Sequence, residues 1–257
     1  MNPYPKIKVM WSACLGFSPC RYDGSKLSHP WPALGLWGDL WPFCPEMDAQ
    51  MGCPRLPVNL VQNGESWELR QVQSETNWSQ PILAVADLLI GHLEGVQAIL
   101  LKSKSPSCAL SDAKRYPKGP SGAFELGPGL VAEHLCQANL PVILADENRL
   151  ADPWGRQTWA AGVFQLARLQ SHLGPLENFH KEQRNMLIGL GAEKTCRNAL
   201  MEDLYPYYFA KAFEQAPGPN QFAQNLGLPL SPLSQMDLYA NPLLGPYPLE
   251  LDAPPIA

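Results

Sequence analysis

A chain of 257 residues is long enough for one large domain or two of ordinary size, so a substantial buried core is expected and no small-protein staples are needed. Its net charge of −5, from 19 Lys and Arg against 24 Asp and Glu, carries no footprint of a protein that grips nucleic acid through phosphates alone. No run approaches the ~18 to 20 apolar residues of a membrane span, and the first residues lack a signal-peptide pattern, so no membrane partner and a soluble, cytoplasmic location are expected.

The segment KIKVMWSAC begins with a short apolar run, which predicts a strand over about residues 6 to 12, followed by the turn-rich GFSPCRYDG. DLWPFCPE repeats the pattern up to Cys44, and Pro42 within it predicts an edge position or an early strand end. A helix is expected over about residues 80 to 94, capped by Ser79, because Ile82, Leu83, Ala86, Leu89, Ile90 and Leu93 recur at helical spacing. VQAILLKS is the clearest strand. The loop KSKSPSC follows with Cys108, then a helix in GPGLVAEHLCQANL and a strand in PVILA.

Strands alternating with helices predict an α/β fold, a three-layer Rossmann-like domain with a mostly parallel sheet covered on both faces, over residues 1–150. After DENRLADPWG the pattern becomes helical. Trp159, Val163, Leu166 and Ala167 form one stripe, and Leu176, Phe179, Met186, Leu187 and Leu190 another, so an all-α domain is expected over 151–215. Within it Pro206 either kinks a helix of about residues 194 to 214 or opens a new one as a first-turn proline. From Ala216 to Ala257 nine of 42 residues are proline, which predicts an irregular tail over 216–257.

Seven scattered cysteines, an odd number, point in the cytosol to metal or chemistry before disulfides. Cys14, Cys44 and Cys108 each lie at or just past the end of a predicted strand, and a parallel sheet gathers such positions along one edge. Thiolates are soft ligands that suit iron–sulfur clusters or zinc. Three of them leave one cluster iron without a protein ligand, as catalytic zinc sites keep one position open.

WSACLG with RYDG, CPE followed by MGCPR, and LLKSKSPSC resemble, in this order, three signature segments of the thiouracil desulfidase family, a group of bacterial iron–sulfur enzymes. The resemblance implies a 4Fe-4S cluster held by Cys14, Cys44 and Cys108 with one open iron that takes the sulfur of a thiolated pyrimidine, and non-redox hydrolysis that releases sulfide. It matches Glu46 to the family's acid and Ser105 to the serine three before the last ligand. A carboxylate there can handle the proton transfers of hydrolysis. Ser105 can orient the ring or stabilise developing negative charge. Asp23, Ser12 and Ser107 are further candidates for substrate contact, with Asp23 equally readable as a turn residue.

SGAFELGPGLVAEHL, NRLADPWGRQTWAAGVFQLARLQ and LGPLENFHKEQRNML look like longer, two-domain relatives that act on 4-thiouridine in tRNA. Two departures bear on this. Ala109 stands where the family has glycine, and the histidine-and-basic FHxxHK pattern is reduced to FHKEQR, keeping Phe179 and His180 with Gln183 and Arg184. From residue 151 onward seven basic face ten acidic side chains, so the expectation of a tRNA partner weakens.

Cys136 and Cys196 read as helix-borne core fillers, Cys20 and Cys53 as bystanders, and Arg55 as a residue that pairs with a buried acid or anchors a loop. A second expectation stays open: a non-catalytic metal-binding protein in which zinc or a structural cluster uses the same thiols, with Cys20 or Cys53 closing the shell and the helical domain recruiting a partner.

Overall fold

The computed structural model describes residues 5–119, 122–200 and 204–227. The first strand, β1 (Ile7–Ser12), is followed by a 3-10 turn (Pro32–Leu36), β2 (Gly38–Phe43) and a single helical turn, α1 (Pro45–Asp48). A hairpin of β3 (Val58–Asn63) and β4 (Ser66–Gln71) leads to α2 (Ser79–Gly91), β5 (Ala98–Leu101), β6 (Ala113–Tyr116) and β7 (Glu125–Gly127). Then come α3 (Leu130–Gln137), β8 (Ile143–Asp146), α4 (Glu147–Ala151) and α5 (Pro153–Gln170). The described chain ends with α6 (Leu176–Gly189), α7 (Glu193–Ala199), α8 (Tyr205–Glu214) and α9 (Pro219–Asn225).

The expected parallel sheet is present with strand order β2-β1-β5-β8, every pair parallel. Pro42 sits where its missing amide does least harm, because among the described residues β2 is an edge strand that pairs only with β1. The opposite edge, β8, is covered: its Leu144 amide donates to Glu214 of α8 at 3.1 Å. A second sheet, order β4-β3-β6-β7, is mixed and was not expected from the sequence.

Strand alternation divides the interior in two. Ile7, Val9, Trp11, Ala98, Leu100 and Ile143 face Trp159, Val163 and Phe164 of α5 and Phe213 of α8, all fully buried. On the other face Met10, Ile99, Leu101 and Leu144 meet Ile82 and Ala86 of α2, Val131 and Leu135 of α3, and Leu60 and Leu69 of the second sheet. The fold is therefore three-layered, and its third layer comes from the helices that follow residue 151. Gly162 of α5 shows how close that layer lies, since a Cβ there would come within 2.7 Å of Ile143 and Phe213.

Two local details differ from the sequence expectations, and a third decides between two alternatives left open there. Ser79 does not cap α2; its amide donates to Asn77 Oδ1 at 2.9 Å, and its hydroxyl accepts from the Leu69 amide at 2.8 Å, tying the helix to β4. Pro206 opens α8 in its first turn rather than kinking a longer helix. The proline-rich segment contains α9, which begins with Pro219 and buries Phe222 and Ala223 against the core; the expectation for residues 228–257 lies outside the described residues. Among the described residues no helix is long and apolar enough to cross a membrane.

Candidate functional site

The neighbours of β1 diverge, β2 to one side and β5 to the other, and in open parallel sheets the crevice beyond such a switch point gathers sites at the strand carboxyl ends. Here β1 ends at Ser12, β2 at Phe43 and β5 at Leu101. The segments that follow deliver Cys14, Cys44 and the loop carrying Cys108 to one cavity of about 470 Å³. Ser12, Cys20, Glu46, Arg55 and Ser105 share its lining.

Cys108 is fixed by backbone chemistry. Ser105 Oγ accepts from the amides of Ser107 at 3.2 Å and Cys108 at 3.1 Å, a local turn of the kind serine favours. The first amides of α3 have no side-chain cap and instead donate to the carbonyls of this loop: Leu130 to Pro106 at 2.9 Å and Val131 to Ser107 at 2.9 Å. Such contact needs a residue without a side chain at Gly129, where a Cβ would stand 2.6 Å from the Ser107 carbonyl carbon. Ala109, the departure noted above, has no positive φ, so its backbone does not call for glycine. From below, Glu147 accepts from the Ser103 amide at 2.9 Å, the Ser103 hydroxyl at 2.6 Å and Lys102 Nζ at 2.6 Å. Burial acts to raise the Glu147 pKa, but these bonds outweigh it and hold the carboxyl below its ordinary value.

Glu46 lies in α1, two residues after Cys44, on the cavity wall. Its Oε2 pairs with Arg55 and its Oε1 accepts from Ser107 Oγ at 2.8 Å. Arg55, 4% exposed, also donates to the carbonyls of Gly52 at 2.8 Å and Cys20 at 3.0 Å. Arg55 thus fills both roles expected for it, pairing with a buried acid, Glu46, and anchoring the loop carbonyls of Gly52 and Cys20.

The structure brings Cys14, Cys44, Cys108, Glu46, Ser105 and Ser12 to one lining. Ser107 is fully buried behind Glu46 and reaches the cavity only through it. Asp23 stands outside: its Oδ1 accepts from the Ser25 hydroxyl at 2.6 Å and amide at 3.0 Å, which makes it a turn residue. Cys53 also points elsewhere, its thiol donating to the carbonyls of Pro19 at 3.0 Å and Arg21 at 3.2 Å. Cys20, expected as a bystander, is 3% exposed and shares the cavity lining with Cys14, Cys44 and Cys108.

The donor set fits an iron–sulfur cluster better than a lone ion. All three proposed ligands open on the same space. Among the described residues no three His, Cys, Asp or Glu side chains converge to hold a single metal ion. Thiolates that each bind a different iron stand farther apart than thiolates sharing one zinc. The lining also carries Arg21, Arg55, Lys102 and Lys104 against the single carboxylate Glu46, so cationic charge is at hand for an anionic thiolate-bound group. Burial pushes the Cys108 thiol well up, aided by the charges of Glu46 and Cys44, so ligation there must be coupled to proton release.

In the helical part, Phe179, His180 and Gln183 are buried, and Arg184 lies 3.6 Å from Glu193. Burial lowers the His180 pKa, reinforced by Arg197 and Arg184.

A family model described as 2-thiouracil desulfurase matches residues 9–147. None of the curated proteins compared with the chain matches it. Among solved structures it is similar to a 4Fe-4S-dependent thiouracil desulfidase, TudS, at 29% identity and a TM-score of 0.47, over 57% of this chain and 94% of that one.

Proposed function

The chain belongs to the 2-thiouracil desulfurase family, and from that premise we propose that it hydrolyses the C–S bond of a thiolated uracil with an iron–sulfur cluster held by Cys14, Cys44 and Cys108. The observation that carries the reading is the convergence of three thiols from the ends of three parallel strands on one cavity that Glu46 also lines. When bound, a 4Fe-4S cluster with three protein thiolates supplies a Lewis-acidic iron for the substrate sulfur.

The rest falls to side chains. Glu46 has one lone pair per oxygen engaged, by Arg55 and by Ser107, and its remaining acceptor capacity faces the cavity. There it takes a proton from the water that attacks the thiocarbonyl carbon and returns one to the departing sulfur, so that C=S and water become C=O and hydrogen sulfide. Ser105 spends its lone pairs on the Ser107 and Cys108 amides, which leaves its O–H free to donate to the Cys108 sulfur or the substrate ring.

A free thiolated base or nucleoside is the substrate favoured over tRNA. Phe179, His180 and Gln183 of the reduced basic pattern face the core, where phosphate cannot reach them, and the net charge after residue 151 is acidic.

Anaerobic reconstitution should give a broad cluster absorbance and matching iron and acid-labile sulfide, with sulfide released from thiouracil or 4-thiouridine and little from 4-thiouridine in tRNA. Cys108→Ala should remove both absorbance and activity. Desulfidation at full rate by cluster-free protein, or one tightly bound zinc per chain with no sulfide released, would defeat the proposal.

A further inference from the structure

Four cations line the cavity, and three of them are engaged elsewhere. Arg55 pairs with Glu46, and Lys102 Nζ gives its three protons to Ser103 O at 2.7 Å, Ser103 Oγ at 3.1 Å and Glu147 Oε1 at 2.6 Å. Arg21 stands 4.0 Å from Asp23 of its own turn. The ammonium of Lys104 has neither an ion pair nor a hydrogen bond among the described residues.

The backbone makes a lysine at this place informative. Lys104 has a φ of 57°, in the left-handed region where a side chain is costly and glycine is at ease. Its surroundings hold it there: its amide donates to Asp112 Oδ1 at 2.7 Å, the Ser103 amide before it donates to Glu147 Oε2 at 2.9 Å, and Oγ of Ser105 after it accepts from the Cys108 amide at 3.1 Å. Of the five non-glycine residues with positive φ among those described, Lys104 alone lines the cavity. Backbone strain kept on the wall of a site points to a use for the side chain.

The ring of a thiolated uracil suggests the use. In either isomer one carbonyl oxygen remains, on a carbon separated from the thiocarbonyl carbon by a single nitrogen. Turning the sulfur towards the thiols therefore leaves this oxygen on the flank of the ring. Cys108, 6% exposed, marks the closed end of the cavity, and Lys104, exposed on the same loop, marks the open one.

Resting on the desulfidase reading above, we propose that Lys104 is a specificity-determining residue whose ammonium donates to the second carbonyl oxygen of the substrate, selecting pyrimidines that carry it and aligning their thiocarbonyl. Lys104 transfers no proton, so the balance of the reaction is unchanged. A site with a charged donor waiting for an oxygen rejects the ring that lacks one, because the donor is then left without its partner.

The test crosses residue with substrate. Full-length wild type, Lys104→Met, Lys104→Arg and Arg21→Met, reconstituted anaerobically and matched for iron and labile sulfide, are assayed for sulfide release from 4-thiouracil and from pyrimidine-4-thione, which lacks the second oxygen. A hydrogen bond from a charged donor corresponds to about 10- to 100-fold, so wild type should prefer 4-thiouracil by about that factor in kcat/KM. Lys104→Met should lose the preference through 4-thiouracil alone, Lys104→Arg should keep most of it, and Arg21→Met all of it. Lys104→Gly should also lose it, and in metal-free protein should raise the urea midpoint above wild type by relieving the left-handed backbone. A preference that survives Lys104→Met, or equal losses on both substrates, would overturn the proposal and leave desulfidation standing. Loss of the preference in Arg21→Met instead would move the contact to Arg21 and overturn it too, and a lower midpoint in Lys104→Gly would make the lysine structural. No sulfide from wild type with either ring would end the underlying reading.

Discussion

Replacing Arg55 with methionine removes the guanidinium from a pair in which Arg55 is 4% and Glu46 12% exposed. Glu46 is then left with Ser107 as its single partner, and the carbonyls of Gly52 and Cys20 lose a charged donor. Breaking one side of a buried ion pair costs about 3 to 5 kcal/mol. Each lost bond to a charged donor is worth roughly 1.5 to 3 kcal/mol when counted alone. These quantities describe the same group and do not add, so the expected loss is about 3 to 5 kcal/mol, a large share of the roughly 5 to 15 kcal/mol of a typical domain. The assay is urea unfolding of metal-free, reduced protein near pH 7, with the midpoint falling and the slope unchanged. Arg55→Met with Glu46→Leu, which removes both charges, should recover most of the loss. A cost below about 1 kcal/mol, as for an exposed pair, or a double variant no better than the single one, would show that Arg55 does not hold Glu46 in place.

Other expectations can be checked on the same protein. Glu46→Gln should lower kcat/KM for thiouracil by about 10² to 10⁴ while iron and sulfide content stay unchanged, the range for a lost general acid–base group. Glu147 has a folded pKa held below its ordinary value of 4.5, so it contributes stability above that pH that is lost as pH falls through the lower folded value. Unfolding of apoprotein between pH 6 and pH 3 should therefore show a shallower acid loss in Glu147→Gln than in wild type; parallel curves would contradict the network with Lys102 and Ser103. Gly129→Ala should destabilise the fold by about 1 to 3 kcal/mol, because its Cβ has no room against the Cys108 loop. Reduced iron uptake on reconstitution should accompany the loss.

What the sequence disclosed follows from how local its signals are. Apolar runs closing at Cys14 and Cys44, and the loop before Cys108, sufficed to place three thiols at one sheet edge, since strand order in a parallel sheet puts carboxyl ends together. The hairpin β3–β4 went unread although its two-residue loop, Gly64 and Glu65 between the paired Asn63 and Ser66, begins with a glycine, and Gly64 adopts the positive φ of 63° that such a turn asks for. β6 and β7, four and three residues long, are too short to carry a periodic pattern. The inward turn of Cys20 and the outward turn of Cys53 depend on a guanidinium and two carbonyls brought from elsewhere in the chain, and nothing at either cysteine encodes them. Ser107 likewise reaches Glu46 across 61 positions. Asp23 shows the reverse case, where the Asp-Gly signal for a turn was local and the structure follows it.

The apolar interior crosses residue 151 without a seam: Val9 and Trp11 of β1 share it with Trp159, Phe164 and Phe213. Strand β1 is thus gripped along its length by helices that contribute no residue to the cavity lining, while its last residue, Ser12, stands on the cavity wall. Loosening those helices lets the strand shift beneath its own terminus, so alterations remote from every sulfur can still misalign the one that follows it, Cys14.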